Sequence, residues 1–126
     1  MMLSKFFDLE NKSVFITGGG SGIGGEITKA FIQQGAKVSF VQRSDAEHFC
    51  DKIEAEFNSR PYFIKCDITD LNALKKAVEL AKSVNGDIDI LVNNAANDDM
   101  HETLNVTEEY WDNLQSINLK IGRAHV

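Results

Sequence analysis

Short β-branched and aromatic runs alternate along this chain with longer segments of helical period. Ser13–Thr17 (SVFIT), Lys37–Val41 (KVSFV), Tyr62–Cys66 (YFIKC) and Ile88–Val92 (IDILV) have the length and composition of strands. Between them, apolar side chains recur at three- and four-residue spacing. Gly22–Gln34 carries Ile23, Ile27, Ala30 and Phe31 on one helical face, and Ala46–Phe57 carries Phe49, Ile53 and Phe57. A third helix follows Asp70, a capping residue, with Leu71, Leu74, Val78 and Ala81 as its stripe. Asn93–Asn105 is a polar loop, and Thr107 to about Lys120 is a fourth helix with Tyr110, Leu114 and Ile117 inward. Gly35 and Asn85-Gly86-Asp87 are stops, and Pro61 sits where a strand tolerates a missing N–H. Such alternation predicts a parallel sheet joined by crossover helices.

Composition narrows the function more than the fold. A chain of 126 residues, 43% hydrophobic and 25% charged, suffices for one core and one soluble domain. Its net charge of -6 argues against a nucleic-acid partner or a polybasic membrane surface, both of which need clustered Lys and Arg. It does not exclude a dinucleotide, because backbone N–H groups at a helix terminus can hold a pyrophosphate. Cys50 and Cys66 have neither metal-ligand nor redox-motif spacing and are expected to be free, partly buried thiols. Met1–Asn11 holds no apolar run of signal-peptide length and no stretch reaches membrane-spanning length, so a cytoplasmic protein is expected.

The candidate chemistry begins at Thr17-Gly18-Gly19-Gly20-Ser21-Gly22-Ile23-Gly24, between the first strand and the first helix. The chain must reverse there while its backbone approaches an anion, and glycines permit positive φ and remove the obstructing Cβ. Free N–H groups and the positive helix end would then face the phosphates. Ile23 is expected to lean back onto the sheet. Two registers are open: Gly20, Gly22 and Gly25 as G-x-G-x-x-G, or Gly18, Gly22 and Gly24 as T-G-x-x-x-G-I-G.

The second register resembles that of the short-chain dehydrogenase/reductase family, and three further marks follow in order. Asp67-Ile68 after strand three is similar to the pair that touches the adenine. Asn93-Asn94-Ala95-Ala96 after strand four resembles the family's Asn-Asn-Ala-Gly, with Ala96 in place of glycine. Asn118 falls where a helix asparagine helps to organise the proton relay. The resemblance runs from about Leu9 to Lys120. It implies a truncated doubly wound α/β Rossmann fold, four parallel strands in the order 3-2-1-4. It also implies a cofactor site built from Gly18, Gly20, Ser21, Gly22, Ile23, Gly24, Gln42, Arg43, Asp67, Ile68, Asn94, Ala95 and Ala96, and a homo-oligomeric full-length protein. The implied activity is hydride transfer between a nicotinamide and a small alcohol or carbonyl substrate.

The end of strand two bears on NAD against NADP. An acidic residue there would bond the ribose 2′-OH and repel a 2′-phosphate. Here stands Gln42-Arg43-Ser44, with no carboxylate and a planar cation suited to the phosphate, which favours NADP. Read otherwise, Arg43 is an ordinary surface cation, and Asp45 caps the next helix. Asn97-Asp98-Asp99-Met100-His101 and Val106–Asp112 resemble the aldose 1-dehydrogenases of the family, so a sugar C1 is one implied substrate; a 3-oxoacyl or other carbonyl group is another. A non-catalytic dinucleotide sensor is the reading from a different class. Asp98, Asp99 and His101 have no recognised metal spacing, so no metal is expected, and His48 reads as surface.

By the same resemblance, catalysis needs a Ser and a Tyr four residues before a Lys, whose ammonium lowers the phenol's pKa. Tyr62 is followed at that spacing by Cys66 and Tyr110 by Leu114, so neither fits. The last six residues, Ile121-Gly122-Arg123-Ala124-His125-Val126, read as the translation of a common sequencing adapter. Residues 1–120 are therefore expected to be the N-terminal part of one NAD(P)-binding domain and 121–126 a non-native tail. On that expectation the chain as written performs no hydride transfer.

Overall fold

The computed structural model describes residues 7–94. After a short 3-10 turn (Phe7–Leu9) come β1 (Ser13–Thr17), α1 (Gly22–Gln33), β2 (Lys37–Gln42), α2 (Glu47–Phe57), β3 (Tyr62–Lys65), α3 (Leu71–Asn85) and β4 (Ile90–Asn93). The strands form one four-stranded sheet, β3-β2-β1-β4, and every pairing is parallel. The order 3-2-1-4 agrees with the sequence reading. Boundaries move by one or two residues: β2 gains Gln42, β3 loses Cys66, β4 runs Ile90–Asn93 rather than Ile88–Val92 with Ile88 buried just before it, α1 ends at Gln33 and α2 starts at Glu47.

A parallel sheet must be covered on both faces, and the strand pleat divides its apolar side chains accordingly. Val14, Ile16, Val38, Phe40 and Val92 pack with Ile32 of α1 and Cys50 and Ile53 of α2. Phe15, Val41 and Leu91 pack on the other side with Leu74, Ala77, Val78 and Ala81 of α3. The helix ends follow local chemistry. Gly35, at φ 84°, closes α1: its N–H donates to Ile32 O (3.0 Å), and Ala36 N–H donates to Phe31 O (3.1 Å). Asp70 caps α3, its carboxylate accepting from Ala73 N–H at 3.1 Å. Asp45 does not cap α2; the capping position is Ala46, and Asp45 accepts from Glu47 N–H at 3.3 Å.

The inward face of α1 differs from the expected one. Ile23 is 75% exposed, and the buried residues are Gly24, Gly25, Thr28 and Ile32, with Ile27 and Phe31 only partly covered. Small residues face the sheet here, so the helix approaches closely and the large Ile23 is turned outward. Leu71 likewise stands 38% exposed at the first turn of α3, while Ala77 completes that helix's stripe.

These two faces separate under substitution. Leu74→Ala, emptying a fully buried position, is expected to cost about 2–5 kcal/mol in urea unfolding. Ile23→Ser is expected to stay within about 0.5 kcal/mol; a core-sized loss at Ile23 would restore the face read from periodicity.

Candidate functional site

The chain leaves β1 for β2 on one side, and β4 returns to pair with β1 on the other. The strand order reverses between β1 and β4, and in open parallel sheets the crevice beyond such carboxyl ends takes the ligand. Thr17, the last residue of β1, lies between Val41 of β2 and Asn93 of β4. Its hydroxyl donates to Asn93 Oδ1 (3.1 Å) and accepts from Asn94 N–H (2.9 Å). The Asn94 amide in turn donates to Gly18 O at 3.1 Å. These bonds clasp the ends of β1 and β4 across the reversal.

The glycine turn starts at this clasp. Gly18 takes φ 72° and donates its N–H to Val41 O at 2.7 Å. Gly19 O accepts from the buried Thr28 hydroxyl at 2.8 Å, and a Cβ on Gly19 would lie 2.6 Å from Phe40 Cβ. Gly20 N–H donates to Gln42 Oε1 at 2.9 Å, and a Cβ there would overlap the Gln42 side chain. Ser21 is extended (φ -160°, ψ 163°) at the N-cap and makes no side-chain capping bond. Gly22 adopts φ 56° in open space. A Cβ on Gly24 would run into Gly18 O and come within 2.5 Å of the Asn94 amide. Thus Gly18 and Gly22 need glycine for conformation and Gly24 for space. Gly25 is less demanding, its nearest neighbour being Phe49 at 3.3 Å.

The first helix-internal bond of α1 runs from Gly25 N–H to Ser21 O. Helix geometry therefore leaves the N–H groups of Gly22, Ile23 and Gly24 without intrahelical acceptors, beside the positive end of the dipole. A turn whose carbonyls are tied back and whose glycine edge has no Cβ fits a pyrophosphate. A groove of about 640 Å³ adjoins the same helix end between α1 and α2, lined in part by Ser21, Gly22, Lys29, Phe49 and Lys52. Its lining takes nothing from the strand ends.

Gln42, Arg43 and Asp67 meet at the ends of β2 and β3. The Gln42 amide donates to Ser44 O (3.0 Å) and Ser44 Oγ (3.2 Å) while holding Gly20. Arg43 is exposed, its Nε 3.8 Å from Asp67 Oδ2. Asp67 Oδ1 accepts from the Thr69 hydroxyl (2.7 Å) and N–H (2.9 Å). These bonds, with a smaller pull from Arg43, hold the carboxyl below the ordinary aspartate pKa against a small opposing effect of burial. Ile68 is buried in the core beside α3, so only its backbone is free to face a ligand. Ala95, Ala96, Asn118, the 97–101 loop, the helix expected from Thr107 and the 121–126 tail lie outside the described residues.

One participant, Thr28, carries no motif, and one expected residue, Gln42, makes bonds that its motif does not imply. Thr28 escapes a reading for large apolar residues because its hydroxyl falls on the face of small ones; its four-residue spacing from Gly24 is the available signal. The bonds of Gln42 to Gly20 and Ser44 had no signal in the sequence. Cys50 and Cys66 are free and buried; burial raises the Cys50 pKa to about 11 and raises that of Cys66, so both thiols stay protonated near neutral pH. His48 is exposed, and no cluster of three or more potential metal ligands occurs among the described residues. None of their helices is long and apolar enough to cross a membrane.

Sheet order, reversal point and glycine turn together define an α/β domain of the Rossmann type. The family model of the short chain dehydrogenases matches residues 12–121, and the chain belongs to that family. It is 41% identical over 119 residues to a Rhizobium meliloti protein named "Probable galactose dehydrogenase", covering 93% of this chain and 46% of that one. It is 42% identical over 115 residues to D-xylose 1-dehydrogenase of Caulobacter vibrioides, covering 89% and 44%. The chain thus spans somewhat under half the length of these relatives. Among solved structures, a doubly substituted Serratia marcescens short-chain dehydrogenase/reductase superposes with a TM-score of 0.72 at 29% identity, over 91% of this chain and 55% of the other. L-sorbose reductase of Gluconobacter frateurii, solved with NADPH and L-sorbose, gives 0.66 at 31%, over 71% and 35%.

Three substitutions test this geometry. Gly24→Ala is expected to destabilise the domain by about 1–3 kcal/mol through overpacking. Gly22→Ala, with space but a left-handed φ, should cost about 1–2 kcal/mol. A Gly24→Ala domain of undiminished stability in urea would contradict the close approach. Thr69→Ala removes a bond to ionised Asp67. A depressed folded-state pKa contributes stability above the ordinary aspartate value, and that stability is lost as pH falls through the folded value. The stability gap between wild type and Thr69→Ala is therefore expected to be full at neutral pH and to narrow below about pH 4.

Proposed function

We propose that this chain is the cofactor-binding N-terminal part of an NAD(P)-dependent oxidoreductase that moves hydride between a nicotinamide and an alcohol or carbonyl carbon. The carrying observation is the close approach of Gly24 to Gly18 O and Asn94, which brings the start of α1 to the β1–β4 reversal. Free N–H groups at that helix end suit a pyrophosphate. Gly18, Gly20, Ser21, Gly22, Ile23 and Gly24 line the phosphate side of the site in this reading. Asp67 and the Ile68 backbone lie at the adenine end, and Asn94 with Ala95 and Ala96 at the nicotinamide end. When bound, the nicotinamide accepts or supplies the hydride. The Ser and the Tyr-Lys pair that handle the proton belong to sequence beyond residue 120 in this reading, with Asn118 serving their relay and 121–126 foreign to the domain.

A sugar oxidised at C1 is the substrate we propose. Relatives named for galactose and xylose support it, and so does the polar run Asn97–His101, whose amide and acid side chains suit hydroxyl groups. NADP is the proposed cofactor. No carboxylate stands at Gln42 to repel a 2′-phosphate, and Arg43 is exposed beside it.

In the full-length protein, NADPH is expected to bind more tightly than NADH in fluorescence titrations. Arg43→Ala should reduce that preference roughly tenfold, the scale of one lost charge-assisted hydrogen bond. An unchanged ratio would assign the 2′-end to other residues.

A further inference from the structure

Resting on the dinucleotide-site reading, we propose that Gln42 is a positioning residue: a strut between the phosphate turn and the Arg43–Ser44 loop that sets cofactor preference without itself touching the cofactor. The expected place for the residue ending β2 is against the adenosine ribose. Its carboxamide is instead committed at both ends. Oε1 accepts from Gly20 N–H at 2.9 Å, and Nε2 donates to Ser44 O at 3.0 Å and to Ser44 Oγ at 3.2 Å. An amide nitrogen has two protons, and both have acceptors here. Gly20 is fitted to the strut as well, since a Cβ on it would overlap the Gln42 side chain.

The two ends of the strut are not equally dependent on it. Three other bonds hold the glycine turn: Gly18 N–H to Val41 O, the Thr28 hydroxyl to Gly19 O, and the Asn94 amide to Gly18 O. The Arg43–Ser44 loop has Gln42 as its tie to the turn, plus an exposed pairing of Arg43 with Asp67 at 3.8 Å. Exposed pairs of that kind are worth about 0–1 kcal/mol and fix a side chain poorly. Removing the strut therefore leaves the pyrophosphate cradle shaped and releases the loop that presents Arg43. A 2′-phosphate feels that release; a 2′-hydroxyl, which does not need Arg43, feels it little. Gln is the side chain for this task because it accepts at one end and donates at the other. Glu, of the same length, accepts from Gly20 but has no proton for Ser44.

The test uses the full-length protein and three versions of it: wild type, Gln42→Leu, and Gln42→Glu as the near-isosteric second variant. Dissociation constants for NADPH and NADH come from fluorescence titration, and amide exchange at Gly20 is read without cofactor. Gln42→Leu is expected to weaken NADPH binding about tenfold, the scale of the one charge-assisted Arg43–phosphate bond that the strut positions, while NADH changes less than about threefold. Its Gly20 N–H loses protection. Gln42→Glu keeps Gly20 protected; its carboxylate would itself repel a 2′-phosphate, so this variant is read by Gly20 exchange and not by its cofactor ratio. The proposal is overturned if Gln42→Leu leaves the NADPH-to-NADH ratio at the wild-type value, or if Gly20 is no better protected in wild type and Gln42→Glu than in Gln42→Leu. Wild-type protein that binds neither cofactor would overturn the dinucleotide site and the strut together; binding without the Gln42 effects overturns the strut alone.

Discussion

The start of α1 comes so close to the ends of β1 and β4 that Gly24 has no room for a methyl group. Most of what is specific in this structure depends on that approach. It requires a glycine at the contact, small neighbours on the same face, and partners for the polar groups caught beneath the helix. Gly25 and Thr28 supply the small face, and the Thr28 hydroxyl bonds the buried Gly19 carbonyl. Thr17 and Asn94 answer the polar groups at the strand ends. An orphaned carbonyl there would cost about 1–3 kcal/mol, so the Thr-Gly and Asn-Asn pairs stabilise the approach as well as marking the family.

The same approach divides the backbone's hydrogen-bonding capacity. The carbonyls of Gly18 and Gly19 are turned inward and bonded, as is the Gly18 N–H. Donors left to face the crevice come from the first turn of α1, where the macrodipole adds a partial positive charge. An acidic protein can thus build an anion site without concentrating lysines. The net charge of -6 therefore says nothing against a nucleotide cofactor.

Architecture was legible in the sequence because it follows from periodicity and from where glycines fall between elements. Strand and helix order, the parallel sheet, the Asp70 cap and the reversal at Gly35 could all be read that way. The face of α1 could not, because a search for large apolar residues selects Ile23 and overlooks a face made of Gly24, Gly25 and Thr28. Leu71 misleads for a related reason: it extends the stripe of α3 in sequence but stands 38% exposed as the first residue of the helix. Two-ended side-chain bonds were illegible altogether. Gln42 reads as a missing carboxylate, and only its surroundings show what its amide holds.

That distinction matters for cofactor selection. Arg43 is a long, exposed side chain already near a carboxylate, Asp67, that Thr69 keeps ionised. Its attraction for a phosphate is screened by salt and shared with that carboxylate. An exposed, partly neutralised cation is a weak discriminator by itself. Discrimination of a 2′-phosphate requires that the guanidinium be presented at a fixed distance from the pyrophosphate, so that both anionic groups of one ligand are met at once. The covalent path from Gly20 to Arg43 runs through all of α1 and β2, and the Gly18 N–H bond to Val41 O at 2.7 Å joins turn and strand two residues short of Arg43. The Gln42 amide crosses the same gap with hydrogen bonds of 2.9 and 3.0 Å. On the strut proposal, selectivity at this end of the site follows from the spacing between turn and loop before it follows from any one charge.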